Sequence, residues 1–142
     1  MRRIAIAAVL CMTLLVIGGC TQQQESDDSI SVPETTPESY TDISPAEARA
    51  LIDSTTDLII IDVSPHYAEG HLPGAVHYYL GDGSLDEAIP ALDKNKIYLV
   101  YCHVDSVARQ GAQKLVDAGF PKVYRLKGNY SAWVDAGYPI EK

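Results

Sequence analysis

Apolar and polar positions divide this chain into three regimes. Residues 4–17 are almost wholly apolar behind Arg2 and Arg3. Residues 21–39 are Gln, Glu, Asp, Ser, Thr and Pro with almost no apolar side chain, and from Tyr40 onward apolar clusters alternate with polar turns. In that last stretch the run Leu58-Ile59-Ile60-Ile61-Asp62-Val63 is continuous and β-branched, as in a strand buried on both faces. Ile97-Tyr98-Leu99-Val100-Tyr101 reads the same way. Residues 122–126 form a third strand, and a smaller one is expected around residues 75–78. Helical signals lie between them. Ser44-Pro45-Ala46-Glu47 supplies an N-cap, an N1 proline and an acidic first turn ahead of Ala48, Leu51 and Ile52. A short turn-helix is expected through His66-Tyr67-Ala68, a turn at Leu72-Pro73-Gly74 and a helix over residues 84–92. Val107, Ala108, Gly111, Ala112, Leu115 and Val116 make an apolar stripe that ends at Gly119, and residues 130–136 close with a short helix containing Trp133. Strands alternating with helices through short connections predict an α/β domain. Its sheet is doubly wound and mostly parallel, with helices on both faces and right-handed crossovers.

The first regime has the layout of an export signal: a positive n-region, an apolar h-region, and small residues Gly18-Gly19 before Cys20. The apolar stretch is short for a membrane span of about 20 residues and is followed by Thr21-Gln22-Gln23-Gln24 rather than a basic stop-transfer cluster. Ile17-Gly18-Gly19-Cys20 resembles the prokaryotic lipobox. That resemblance implies a lipoprotein signal peptide over residues 1–19 and acylation of Cys20 as the new N-terminus. An uncleaved N-terminal anchor would tether the remainder outside the cytoplasm equally well. Residues 21–39 are too polar to bury a core and read as a flexible linker. The folded domain is expected over residues 40–142, about 100 residues, enough for one core and too few for two.

Cleavage before Cys20 changes two balances. Of the 11 basic residues Arg2 and Arg3 leave with the signal, so nine remain against 19 acidic, a net charge near −10. Such a surface repels nucleic acid and anionic lipid, so no nucleic-acid partner is expected and membrane contact would come from the acyl chains. Of three cysteines Cys11 is lost and Cys20 carries lipid, which leaves Cys102 without a disulfide partner and rules out a cysteine-rich zinc site. A monomer without metal or organic cofactor is the expectation.

Cys102 is the candidate nucleophile. It ends the strand 97–101 and opens a short polar loop, His103, Val104, Asp105 and Ser106, that leads into the helical stripe. A parallel strand delivers its last residue to the carboxyl edge of the sheet, where the next helix turns unpaired N–H groups toward it and biases a thiol toward thiolate. A lone cysteine at a strand end is otherwise a small buried apolar residue.

Several segments together resemble the rhodanese domain, in order and at that family's spacing. They are residues 58–63, the string Tyr67-Ala68-Glu69-Gly70-His71-Leu72-Pro73-Gly74-Ala75, Val100-Tyr101-Cys102, residues 115–120, and Val123 through Gly128 to Ala132-Trp133. The resemblance spans essentially all of residues 40–140. It implies a single α/β domain with a five-stranded parallel core, and a Cys102 that accepts sulfur. The implied activity is a sulfurtransferase that moves sulfane sulfur from thiosulfate, or from a persulfide or polysulfide, to a thiophilic acceptor through a Cys102 persulfide. The alternative is a catalytically inactive binding or sulfur-sensing module. A thiol-disulfide role would need an external resolving thiol. Both stages of sulfur transfer carry negative charge on sulfur, so the loop residues His103, Val104, Asp105, Ser106 and Val107, with Arg109 beyond them, are the expected substrate contacts.

Departures from the family pattern sharpen this expectation. Active loops commonly run Cys, four variable residues and a basic residue, a position held here by Val107, with Arg109 two residues further on. Asp105 stands where many relatives have glycine, and a carboxylate there is expected to raise the thiol pKa and repel thiosulfate. Ser64 stands where relatives often carry arginine. Weak recognition of a dianionic donor follows. Family phosphatases place Arg where this chain has Ala108, which argues against phosphate chemistry. His71 is expected to be structural, and His66 and His77 show no ligand spacing. His103 is either a protonated partner of the thiolate or a solvent-facing loop residue. Asp62 is expected to orient neighbouring backbone, Tyr101 or Tyr130 to line the pocket, and Arg125 to form a surface salt bridge or contact a substrate anion.

Overall fold

In the computed structural model the described residues are 39–142; the expected export signal, Cys20 and nearly all of the expected linker lie outside them. Five strands form one parallel sheet in the order β1-β5-β4-β2-β3, with β1 Thr41–Ile43, β2 Leu58–Asp62, β3 Val76–His77, β4 Ile97–Tyr101 and β5 Val123–Leu126. Among the described residues no helix is long and apolar enough to cross a membrane.

Alternation along the strands sorts the core into two layers. Ile60, Leu99, Tyr101 and Leu126 pack with Ala48 of α1 (Pro45–Ser54) and Trp133 of α4 (Asn129–Asp135). Ile61, Tyr98, Val100 and Val123 pack on the other face with Leu85 of α2 (Ser84–Ala88) and with Ala108, Ala112 and Leu115 of α3 (Asp105–Asp117). The doubly wound sheet with helices on both faces is therefore what the sequence pattern predicts. The expected short turn-helix is a single 3₁₀ turn at Tyr67–Glu69, and a second 3₁₀ turn at Ile89–Ala91 replaces the second half of the 84–92 helix. Pro90 lacks the N–H that would continue α2.

Local chemistry sets the helix ends. Ser44 and Glu47 form a reciprocal capping box on α1: the Glu47 N–H donates to Ser44 Oγ at 3.3 Å and the Ser44 N–H to Glu47 Oε2 at 2.7 Å. Gly119, at φ +86°, follows the last turn of α3 in the left-handed conformation that lets its N–H reach Val116 O at 2.8 Å. Gly111 serves a different purpose. A Cβ there would lie 3.1 and 3.2 Å from the two methyls of Val63, so its absence lets α3 approach β2 and β4 closely. Gly111→Ala is expected to lower stability by about 1 kcal/mol, because overpacking outweighs the gain in helix propensity. A thermal melt checks this, with the midpoint about 5 °C lower.

Candidate active site

All strands run parallel, so their carboxyl ends share one edge. The central strand β4 delivers Cys102 to it, flanked by the residues that follow β2 and β5. Cys102 is 1% exposed and joins the core cluster against α3. The structure places the expected substrate contacts unequally. Val104 is half exposed beside the thiol loop. Asp105 and Ser106 already belong to the first turn of α3, and Val107 packs inward against the core rather than facing a substrate. Arg109 is exposed and donates through Nε to Asp105 Oδ2 at 2.7 Å.

Asp105 is engaged by three partners. Its carboxylate accepts hydrogen bonds from Arg109, from Nη1 of Arg125 and from Asn129 Nδ2 at 3.2 Å, and the two guanidinium groups, Arg109 first, hold it below the usual carboxylate range. Repulsion of a donor by a bare Asp105 charge is thus not what the loop presents. Arg125 also departs from expectation. It is 1% exposed, neither a surface salt bridge nor a free anion contact, and it grips Asp42 of β1 bidentately, Nε to Oδ1 and Nη2 to Oδ2 both at 2.6 Å. Val107 is not basic and both nearby arginines are engaged by carboxylates.

Burial pushes the Cys102 thiol up. The N–H groups of Val104 and His103, directed at the sulfur, pull it partly back, and the buried Asp62 carboxylate adds to the rise. The expected bias toward thiolate is therefore not met in the resting site. Alkylation by iodoacetamide should keep accelerating beyond pH 9, and a plateau below pH 8 would contradict this environment. His103 corrects its expectation as well. Its ring stacks on Tyr130 at 4.2 Å between centroids and lies 5.3 Å from His66, and burial lowers its pKa. It is a half-buried imidazole packed on Tyr130, and burial disfavours its charged form.

Asp62 does orient backbone: its Oδ1 accepts the Ser64 N–H at 2.8 Å, while Oδ2 is buried without a partner. Ser64 is fully buried. Its carbonyl accepts from His77 Nε2 at 2.6 Å and its Oγ from the His66 N–H at 3.2 Å, so it shapes the loop after β2 instead of meeting substrate. Tyr101 is kept protonated by burial and by Asp62, and its hydroxyl accepts the Leu72 N–H at 3.0 Å. His71 is held structurally, Nδ1 lying 3.0 Å from Tyr67 O. Among the described residues no three His, Cys, Asp or Glu side chains converge to hold a metal ion.

Asn129 and Asp42 did not stand out in the sequence. Asn129 Oδ1 accepts the Cys102 N–H at 3.3 Å and the next residue, Tyr130, donates its N–H to Cys102 O at 3.0 Å. The local signal for Asn129 was its place directly after Gly128 at a strand-to-helix turn. Asp42 had no local signal, since its partner lies in the last strand.

Comparison with known proteins agrees with this fold. Two curated relatives are the thiosulfate sulfurtransferases GlpE of Actinobacillus pleuropneumoniae, 34% identical over 105 residues, and of Coxiella burnetii, 38% identical over 96. The first alignment covers 73% of this chain and 95% of the relative, the second 66% and 87%. A rhodanese-like domain from an Anabaena sp. protein, solved by NMR, superposes with a TM-score of 0.64 at 29% identity, over 70% of this chain and 77% of that one. Residues 44–136 match the profile of the rhodanese-like domain. Those residues run from the cap of α1 through α4 and include the cysteine on the central strand, and the chain belongs to the rhodanese-like domain family.

Proposed function

We propose that the protein transfers sulfane sulfur through a persulfide on Cys102. The observation that carries this reading is the position of Cys102 just past the carboxyl end of the central strand, at the start of the loop that leads into α3. With a persulfide donor R–S–S⁻, the Cys102 sulfur attacks the outer sulfur and the donor S–S bond breaks. Its electron pair leaves with R–S, which takes the proton released by the thiol, so Cys102–SH and R–S–S⁻ become Cys102–S–S⁻ and R–SH. With thiosulfate the leaving group is sulfite, which takes the same proton. In the second half an acceptor attacks the sulfane sulfur and Cys102 leaves as thiolate. The His103 and Val104 N–H groups stabilise the anion in both halves.

Both arginines near the loop are engaged by Asp42 and Asp105, so a singly charged persulfide or polysulfide suits the site better than the thiosulfate dianion. The relatives named thiosulfate sulfurtransferase support the reaction class. The lipobox-like residues 17–20 support an exported protein tethered through lipid on Cys20, with the acidic domain held off the membrane by residues 21–39.

Intact mass of the purified protein after polysulfide or thiosulfate, then cyanide, tests the reading. A gain of sulfur that cyanide removes as thiocyanate is expected, faster from polysulfide. A folded protein that takes up no sulfur overturns the reading and leaves the inactive binding module, which the fully buried, uncharged thiol would favour.

A further inference from the structure

The main chain of Cys102 is gripped by the head of α4. Its N–H donates to Asn129 Oδ1 at 3.3 Å and its carbonyl accepts the Tyr130 N–H at 3.0 Å. The other end of the same amide, Asn129 Nδ2, donates to Asp105 Oδ1 at 3.2 Å. Asp105 is the first residue of α3, so one side chain spans the loop from the nucleophile to the helix that follows it. Asp105 is itself pinned by Arg125, which Asp42 holds in place.

Asn129 is 4% exposed and is the one non-glycine residue at positive φ among those described, at +59°. Asparagine adopts that conformation more readily than most residues, but glycine would do so without cost. What the asparagine adds over glycine is the bridge. We infer that Asn129 is a positioning residue for the Cys102 sulfur: its amide fixes the thiol loop at both ends, at the Cys102 N–H and at Asp105. Without it the buried Cys102 N–H loses its acceptor, and the loop is free to tilt about the remaining Tyr130 bond.

The part of this inference that concerns sulfur transfer rests on the persulfide reading above; the part that concerns the resting thiol does not. The titratable groups around the thiol are Asp62 at the end of β2, His66 and Glu69 in the turn beyond it, His103 in the loop and Asp105 at the head of α3; substituting Asn129 removes one hydrogen bond from Asp105, which keeps Arg109 and Arg125, and touches none of the others.

The test is Asn129→Gly, which keeps the backbone conformation and removes the bridge. Below its melting temperature the purified variant should load sulfur from polysulfide about tenfold more slowly, the scale of one lost hydrogen bond to a buried backbone donor. Its iodoacetamide reactivity should also rise at higher pH than in the unsubstituted protein. A folded variant with an unchanged loading rate and an unchanged pH profile, whatever its melting temperature, overturns the inference. Should Asn129→Gly fail to fold, Asn129→Ser, too short to reach both partners, decides by the same two readouts. Failure of the unsubstituted protein to load sulfur overturns the persulfide reading, and the alkylation profile then still decides whether the bridge positions the thiol.

Discussion

Cys102→Ser is expected to abolish sulfur loading outright while leaving the fold in place. Cys102 is the one free cysteine among the described residues, and a serine oxygen there would be a neutral hydroxyl with neither the polarizability nor the ionisation that attack on sulfur demands. The substitution is nearly isosteric in a position that is 1% exposed. The hydroxyl would inherit the Val104 and His103 N–H groups, so the stability change should stay within about 1 kcal/mol. Intact mass after polysulfide, beside a thermal melt, separates the two effects. Sulfur that still accumulates on the folded variant and is released by cyanide would remove Cys102 from its assigned role.

Asp42→Ala is expected to destabilise the fold strongly, although Asp42 lies on the edge strand. Arg125 is a guanidinium in the core, and Asp42 supplies two of its three strong hydrogen bonds. Removing one partner of a buried ion pair leaves charge that the interior does not solvate. Asp105 remains and Asp42 is partly exposed, so the expected loss is about 2–3 kcal/mol rather than the full cost of an isolated buried charge. For a domain of this size that lowers the melting midpoint by roughly 10–20 °C. The hydrogen bonds from Arg125 hold Asp42 below its ordinary pKa of 3.8, and Arg109 and Arg125 hold Asp105 below it too. Their contribution is therefore complete above about pH 4 and disappears as pH falls through the lowered folded-state values. Acid unfolding of the variant should consequently depend less steeply on pH. A melt equal to that of the unsubstituted protein at pH 7 would show that the pair does not stabilise the fold.

The elements with long apolar periodicity were legible in the sequence. β2 and β4 are continuous β-branched or aromatic runs, and α3 shows its stripe from Val107 to Val116, so the sheet centre, the position of Cys102 and the helix behind it follow from pattern alone. β1 was not legible. It has three residues of which only Ile43 is buried, so no run announces it, and it exists because β5 offers it a ladder. Arg125 misled for a related reason. A charged residue in Val123-Tyr124-Arg125-Leu126 suggests a side chain leaving the sheet toward water, whereas Asp42, 83 residues earlier, makes a buried guanidinium tolerable. The loop shows the same limit. Asp105 read alone is a bare negative charge beside a thiol, and only its three partners, on α3, β5 and α4, reveal that the charge is compensated.

The order β1-β5-β4-β2-β3 sets a sequence in time as well as in space. The first strand has no neighbour until the last has formed, and the clasp that steadies the thiol loop joins residue 42 to residue 125. Closing so long a loop is slow and gains nothing until its ends meet. A chain still emerging from the ribosome can assemble β2, β4 and α3 around Cys102 and still lack a finished site. The thiol becomes a positioned nucleophile only when the beginning of the domain has met its end.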